Sequence, residues 1–305
     1  MFSSVLFAQS ALIAVSMILL SMTSILHRLV LAKEMSQLKK IVNLLVELKP
    51  HRKSENIGWL KILAIVSTSS LLLLFAFRAS EKDATFDVST FFFGYTFNKV
   101  YNNAIFTVYD IFTTLFFVLP LMTFSFYYIA ICYDIRHIIQ HFGKTLSNIA
   151  SDYEAIFRSY TAIKSHVNQI DNSINFLVFT VIIYNSCVMC FSLYAVLEPK
   201  MIIPMELVSS LYLLSTHFAL FVLMTASASM IPEASAEIGF IASTMPEKAG
   251  RSTLSLQRFI SSAEKEITLT VWKIVPIQRS FIFGISGALF TYTLMFYTLS
   301  SMIKD

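Results

Sequence analysis

The chain has 305 residues, of which 56% are hydrophobic and only 14% charged, with a mean hydropathy of +0.67 and a formal net charge of +4. Soluble domains carry about a quarter charged residues, so this is an all-α, polytopic transmembrane helical bundle with helical cytoplasmic extensions, read as one domain over 1–305. The small net charge, without blocks of one sign, leaves no nucleic-acid footprint. The apolar runs are too long and too uniform for a transmembrane β-barrel.

Six spans follow in order. The first covers about 5–26. No Lys or Arg precedes Arg28 and the uncharged run is long, against a cleaved signal peptide and for an outside N-terminus. The others fall at about 58–77, 103–132, 172–197, 207–231 and 280–302. Of the 23 Lys and Arg, 18 lie in 28–61, 134–171 and 248–279, which places those segments in the cytoplasm and both termini outside. The three cysteines, Cys132, Cys187 and Cys190, sit in apolar runs and imply no disulfide framework.

The cytoplasmic regions, about 134–171 and 233–275, are helical. Apolar residues from Ile139 through Phe142, Leu146, Ile149, Tyr153, Ile156, Tyr160, Ile163, Val167 and Ile170 to Ile174 step by alternating threes and fours, a heptad seam. The third span must return as the fourth, so a turn interrupts the seam, at Gly143 or within Ser147–Asp152. Segment 253–268 puts Leu256, Phe259, Ile260, Ala263 and Ile267 on one face. It is either a helix lying on the membrane surface or a collar between subunits.

No constellation carries catalysis. There is no HExxH, GxSxG or phosphate-binding glycine loop, so no enzyme, cofactor or metal site is expected. His137 and His141 share a helix face at a polar edge and read as solvated. Asp110 is the one acid inside a span and His217 the one histidine well inside a span. Either could touch a ligand, or Asp110 could be wetted by interfacial water and His217 could hydrogen-bond a neighbouring helix; Phe106, Tyr109, Phe112 and Tyr212 make the outward half of the bundle rich in aromatic rings, which suits a small ligand. Phe91, Phe92, Phe93, Tyr95 and Phe97 precede that wall, as a lid or as an interfacial belt.

The closing span, from Ser280 to Ile303, has no charge, recurrent hydroxyls and small residues at Gly284, Ser286, Gly287 and Ala288. That composition suits a pore lining, or a packed helix whose hydroxyls bond back to its own carbonyls. Its run Thr291-Tyr292, five residues Thr293 to Tyr297, then Thr298-Leu299 resembles the end of the arthropod gustatory receptors, which share a seven-helix superfamily with insect odorant receptors. The family ends with Gln-Phe where this chain has Thr298-Leu299. Arg279-Ser280, Gly287-Ala288 and the lead into the fourth span are also similar.

The resemblance implies a tetrameric, ligand-gated cation channel in the plasma membrane, with an inverted topology, opened by a small-molecule tastant. Each of four copies, identical or related, gives its last helix to a central pore in membrane lipid. Met295 and Leu299 fall at the outer hydrophobic gate, and Thr298 takes the place of the pore-facing glutamine. Six spans fit if the family's first helix is absent. A G-protein-coupled receptor is the alternative from another class, against which stand the span number and the missing DRY and NPxxY motifs. A truncated, non-conducting accessory subunit is the other.

Overall fold

The computed structural model describes residues 2–48, 58, 61–69, 98–146, 152–197, 204–245 and 251–304. Within them lie α1 (Phe2–Leu48), α2 (61–69), α3 (Lys99–Thr113), α4 (Leu119–Leu146), α5 (Tyr153–Leu197), α6 (Pro204–Ser243), α7 (Arg251–Ala263) and α8 (Arg279–Lys304). A two-stranded hairpin, β1 (Thr270–Val271) and β2 (Val275–Pro276), joins α7 to α8. Four helical runs among the described residues are long and apolar enough to cross a membrane, by length and composition: Ile111–Leu146, Tyr153–Leu197, Leu207–Ser243 and Arg279–Thr298.

Helices α3 and α4 are one rod interrupted by a π-turn over Thr114–Val118. The cause is local. Pro120 has no N–H to give and its ring clashes with the carbonyl four residues back. The wider turn, closed by the Leu119 N–H on the Thr114 carbonyl, spaces the chain to admit it. Helix α6 carries the second internal proline, Pro232, at the end of its most apolar stretch.

The heptad seam is the core. Ile139, Leu146, Tyr153, Ile156, Tyr160, Val167, Ile170 and Ile174 are all buried, and Phe142 and Ile163 pack against them. The turn does not fall at Gly143, which lies inside α4 against Ile238 and Ile241. Instead α4 ends at Leu146 and α5 begins at Tyr153. Asp152 starts α5: its Oδ1 accepts from the amides of Glu154 and Ala155, both at 3.1 Å, satisfying two donors the first turn leaves open.

Where these helices leave the membrane, water is the reference solvent, and burying a large apolar side chain stabilises by roughly 1.5–3 kcal/mol. Within the hydrocarbon the same contact displaces lipid, and close packing and polar bonds decide instead. Tyr160 is the hub of the seam. It is fully buried, stacks on Phe142 at 5.8 Å and meets Phe259 edge-on at 5.6 Å. Its hydroxyl lies 3.3 Å from Ser235 Oγ, which accepts the Ile267 amide at 3.0 Å.

Helix α7 settles on this hub. Leu256, Phe259 and Ala263 are buried against α5 and α6 of the same chain, so its apolar face does not lie in lipid. Gly239 permits the approach: a Cβ there would stand 3.2 Å from the Ala263 carbonyl. The Lys164 ammonium donates to the carbonyls of Ser262 and Lys265, at 3.1 and 2.9 Å, and so caps the C-terminal end of α7.

Candidate pore helix and buried polar pairs

Helix α8 is the least enclosed of the four candidate spans. Only 6% of its most apolar window is buried, against 56% for α5 and 47% for the α4 rod. One face packs inward through Ile282, Ile285, Leu289 and the buried Thr293. At 100° per residue the opposite face carries Gly284, Gly287, Ala288, Thr291, Met295 and Thr298 within an arc of about 100°. All six are exposed. A Cβ on Gly284 or Gly287 would meet nothing within 4 Å. The bare stripe is therefore small at the N-terminal end of α8 and polar or flexible towards the other.

Of the residues expected to form the gate, Met295 is 53% exposed and Thr298 is exposed on the same bare face. The Leu299 side chain lies outside the described residues. Thr291 is exposed on the stripe, and Tyr292 sits beside it. The hydroxyls of Thr293 and Thr298 do bond back, to the carbonyls of Leu289 at 2.7 Å and of Leu294 and Met295 at 3.0 and 2.9 Å. Back-bonding and an uncovered position coexist at Thr298, because a threonine that donates to its own helix still offers lone pairs outward.

The expected ligand wall is only partly described. Phe106, Tyr109 and Asp110 belong to α3, and their side chains, like Phe91, Phe92, Phe93, Tyr95 and Phe97, lie outside the described residues. Phe112 stacks on Phe116 at 4.4 Å, and the Arg28 guanidinium sits 4.8 Å from the Phe116 ring centre. Tyr212 is half-buried on α6.

His217 is buried. Its Nδ1 lies 2.8 Å from Asn185 Oδ1 on α5, with the Tyr184 ring at 5.8 Å. Since that oxygen only accepts, Nδ1 carries the proton. Asn185 Nδ2 is buried with no partner among the described residues, a buried donor left unsatisfied. A second pair joins α1 to α5: His27 Nδ1 is 2.9 Å from Thr180 Oγ1, edge-on to Phe124, with Nε2 buried and without a partner among the described residues. The sequence marks neither Asn185 nor His27. The one signal was their type, polar residues within otherwise apolar helical runs. His137 and His141 are both exposed on α4.

The hairpin before α8 was also missed. Asp171 accepts from the Thr270 amide at 2.8 Å and its hydroxyl at 2.7 Å. The Trp272 amide donates to the Asn175 carbonyl at 3.3 Å. The Trp272 ring packs on Phe176 and Phe179, at 5.9 and 4.7 Å. Trp272 and Lys273 hold φ of 49° and 56°, the left-handed region that bulky residues rarely enter. At the hairpin's exit, Arg279 grips the Glu233 carboxylate with two nitrogens, at 2.6 and 2.9 Å, fixing the foot of α8 to α6.

A rod with a π-turn, two long helices running beyond the length of a single span, and a strapped, half-bare last helix define a helical membrane receptor of the insect chemoreceptor fold. The insect olfactory receptor OR5 from Machilis hrabei is similar at a TM-score of 0.65 and 13% identity, over 93% of this chain and 80% of that one. Its complex with eugenol is similar at 0.61 and 13%, over 94% and 79%. A family model described as Trehalose receptor matches residues 15–304, and the chain belongs to that insect gustatory receptor family. No curated protein matches the chain.

Proposed function

We propose that this chain is a subunit of a ligand-gated cation channel in which α8 lines a pore made by four copies. The observation that carries the reading is the bare stripe of α8. A span with only 6% of its apolar window buried gains little from its own chain, and its uncovered face is glycine, alanine, threonine and methionine. Larger side chains sit to either side of it, Phe283 and Phe290 at 77% and 55% exposure along one edge and Tyr292 at 59% along the other. Lipid alone would favour the greasy flanks; a neighbouring backbone and a narrow aqueous axis favour the stripe. Met295 and Leu299 then keep the axis dry at rest, and a small widening admits water and ions.

The ligand is a small molecule bearing a hydrogen-bond acceptor, taken in the outward half near Asn185, His217 and Tyr212. Two chemistries have priority for screening: sugars, because the family's description names trehalose, and small phenols, because the olfactory receptor's complex holds eugenol. Ligand opens the pore by binding the open arrangement more tightly than the closed one.

Whole-cell current from cells expressing the chain, screened with both classes, tests the channel. Thr298→Cys reports the pore directly. Thiol reagents added outside should block its current faster in the presence of agonist, while Phe283→Cys stays unaffected. Equal modification at both positions would place the stripe in lipid. A chain that reaches the surface, binds ligand and passes no current would be the accessory subunit.

A further inference from the structure

We propose that the groove between α5 and α7, on the cytoplasmic extension, binds a soluble polyphosphate anion. The groove has a volume of about 610 Å³. That lies within the ~300–1,000 Å³ of small-ligand sites. Lys164, Arg258 and Lys265 converge on it, with Gln257 and Ser261 supplying neutral donors and Phe157 an apolar wall. No carboxylate lines it among the described residues. Glu264 and Glu266 flank Lys265 in sequence, yet neither faces the groove. Glu154 lies close enough to feel the Arg258 charge, but Ser255 Oγ at 2.9 Å and Arg158 Nε at 3.1 Å already hold its carboxylate.

The three cations are not equivalent. Lys164 is committed to the α7 carbonyls and so is locked in place, its charge offsetting the negative end of that helix. Arg258 and Lys265 are exposed, and their side chains make no hydrogen bond or ion pair among the described residues. A fixed ammonium beside two free cations, with amide and hydroxyl donors between, is a multidentate phosphate cradle. The three like charges repel one another until an anion enters.

The place along α5 favours a soluble anion over a lipid headgroup. With the hydrocarbon edge at Asn172, Lys164 stands about 12 Å and Phe157 about 22 Å beyond it, at 1.5 Å per residue. The headgroup layer extends only ~5–8 Å past the hydrocarbon. Nucleotide triphosphates and inositol polyphosphates have the needed charge density. Binding there bridges α5 to α7, the helix that leads through the strapped hairpin into α8.

The test uses the full chain in nanodiscs of neutral phosphatidylcholine, titrated with sodium tripolyphosphate by calorimetry. Saturable binding should appear that weakens as salt rises. The Arg258→Gln/Lys265→Gln double variant should bind roughly tenfold or more weakly. Lys33→Gln, an exposed cation on α1, should match the unaltered chain. A second arm omits tripolyphosphate and adds phosphatidylinositol bisphosphate to the nanodiscs. Absence of tripolyphosphate binding, equal affinity in the double variant, or dependence on Arg258 and Lys265 only in the lipid arm would each overturn the proposal. The readout is binding, so it stands or falls apart from conduction.

Discussion

Replacing Asp171 with alanine should free the strap that connects α7 to α8 and is pinned to α5. The carboxylate is 5% exposed and accepts from both the amide and the hydroxyl of Thr270. Hydrogen bonds to a charged group contribute roughly 1.5–3 kcal/mol each, and the substitution also leaves the Thr270 N–H without an acceptor. Against them stands the strain of two left-handed residues, of order 1–3 kcal/mol apiece, which opening the hairpin releases. The hairpin is thus held closed by Asp171 and the Trp272 ring against its own backbone. Removing the carboxylate should lower the free energy of opening by about 3 kcal/mol, which is roughly a hundredfold in open population. Hydrogen exchange reads this directly. The Ile274 and Ile277 amides, bonded to the carbonyls of Val271 and Leu269 at 3.0 and 2.9 Å, should lose about two decades of protection. The seam amides around Tyr160 should change far less. Unaltered protection at Ile274 and Ile277, or an equal loss across α5, would refute the reasoning, because either result would mean the hairpin is not an independently stapled unit.

Lys273→Gly should stabilise the hairpin by about 1 kcal/mol, since glycine takes φ of 56° without steric cost and the lysine is exposed; a lowered unfolding temperature would count against it. His217→Leu should destabilise by roughly 1–3 kcal/mol by stranding Asn185, whereas His217→Leu with Asn185→Leu should restore part of the loss; additive unfolding free energies would deny the pair. Gly239→Ala should loosen α7 on α6, because the new methyl would stand 3.2 Å from the Ala263 carbonyl and force it to give way, and hydrogen exchange in α7 should quicken; unchanged exchange there would count against a tight approach. Leu299→Ala should raise ligand-independent current in a conducting assembly, and an unchanged leak would remove Leu299 from the gate.

The sequence determined the helices and the seam. Apolar residues every three or four positions from Ile139 to Ile174 can bury together only on one side of an α-helix, and every member among the described residues is buried or packed on the core. The small and hydroxyl residues of α8 were equally legible, because composition shows what a helix face can tolerate. Composition did not show which face would stay bare. That followed from Ile282, Ile285, Leu289 and Thr293 finding partners on the bundle, leaving Gly284, Thr291, Met295 and Thr298 opposite.

Pairings between distant segments were beyond local pattern. His27 meets Thr180 across 153 positions and His217 meets Asn185 across 32, and no spacing rule encodes such a meeting. The hairpin makes the same point more sharply. Trp272 and Lys273 have no intrinsic preference for a left-handed turn, and the stretch lacks the Gly or Asn that would announce one. Its conformation is imposed from outside, by the Asp171 carboxylate, the Asn175 carbonyl and the rings of Phe176 and Phe179. Helices were written locally because their hydrogen bonds close within four residues; the strap and the buried polar pairs exist only once α5 is already standing beside them.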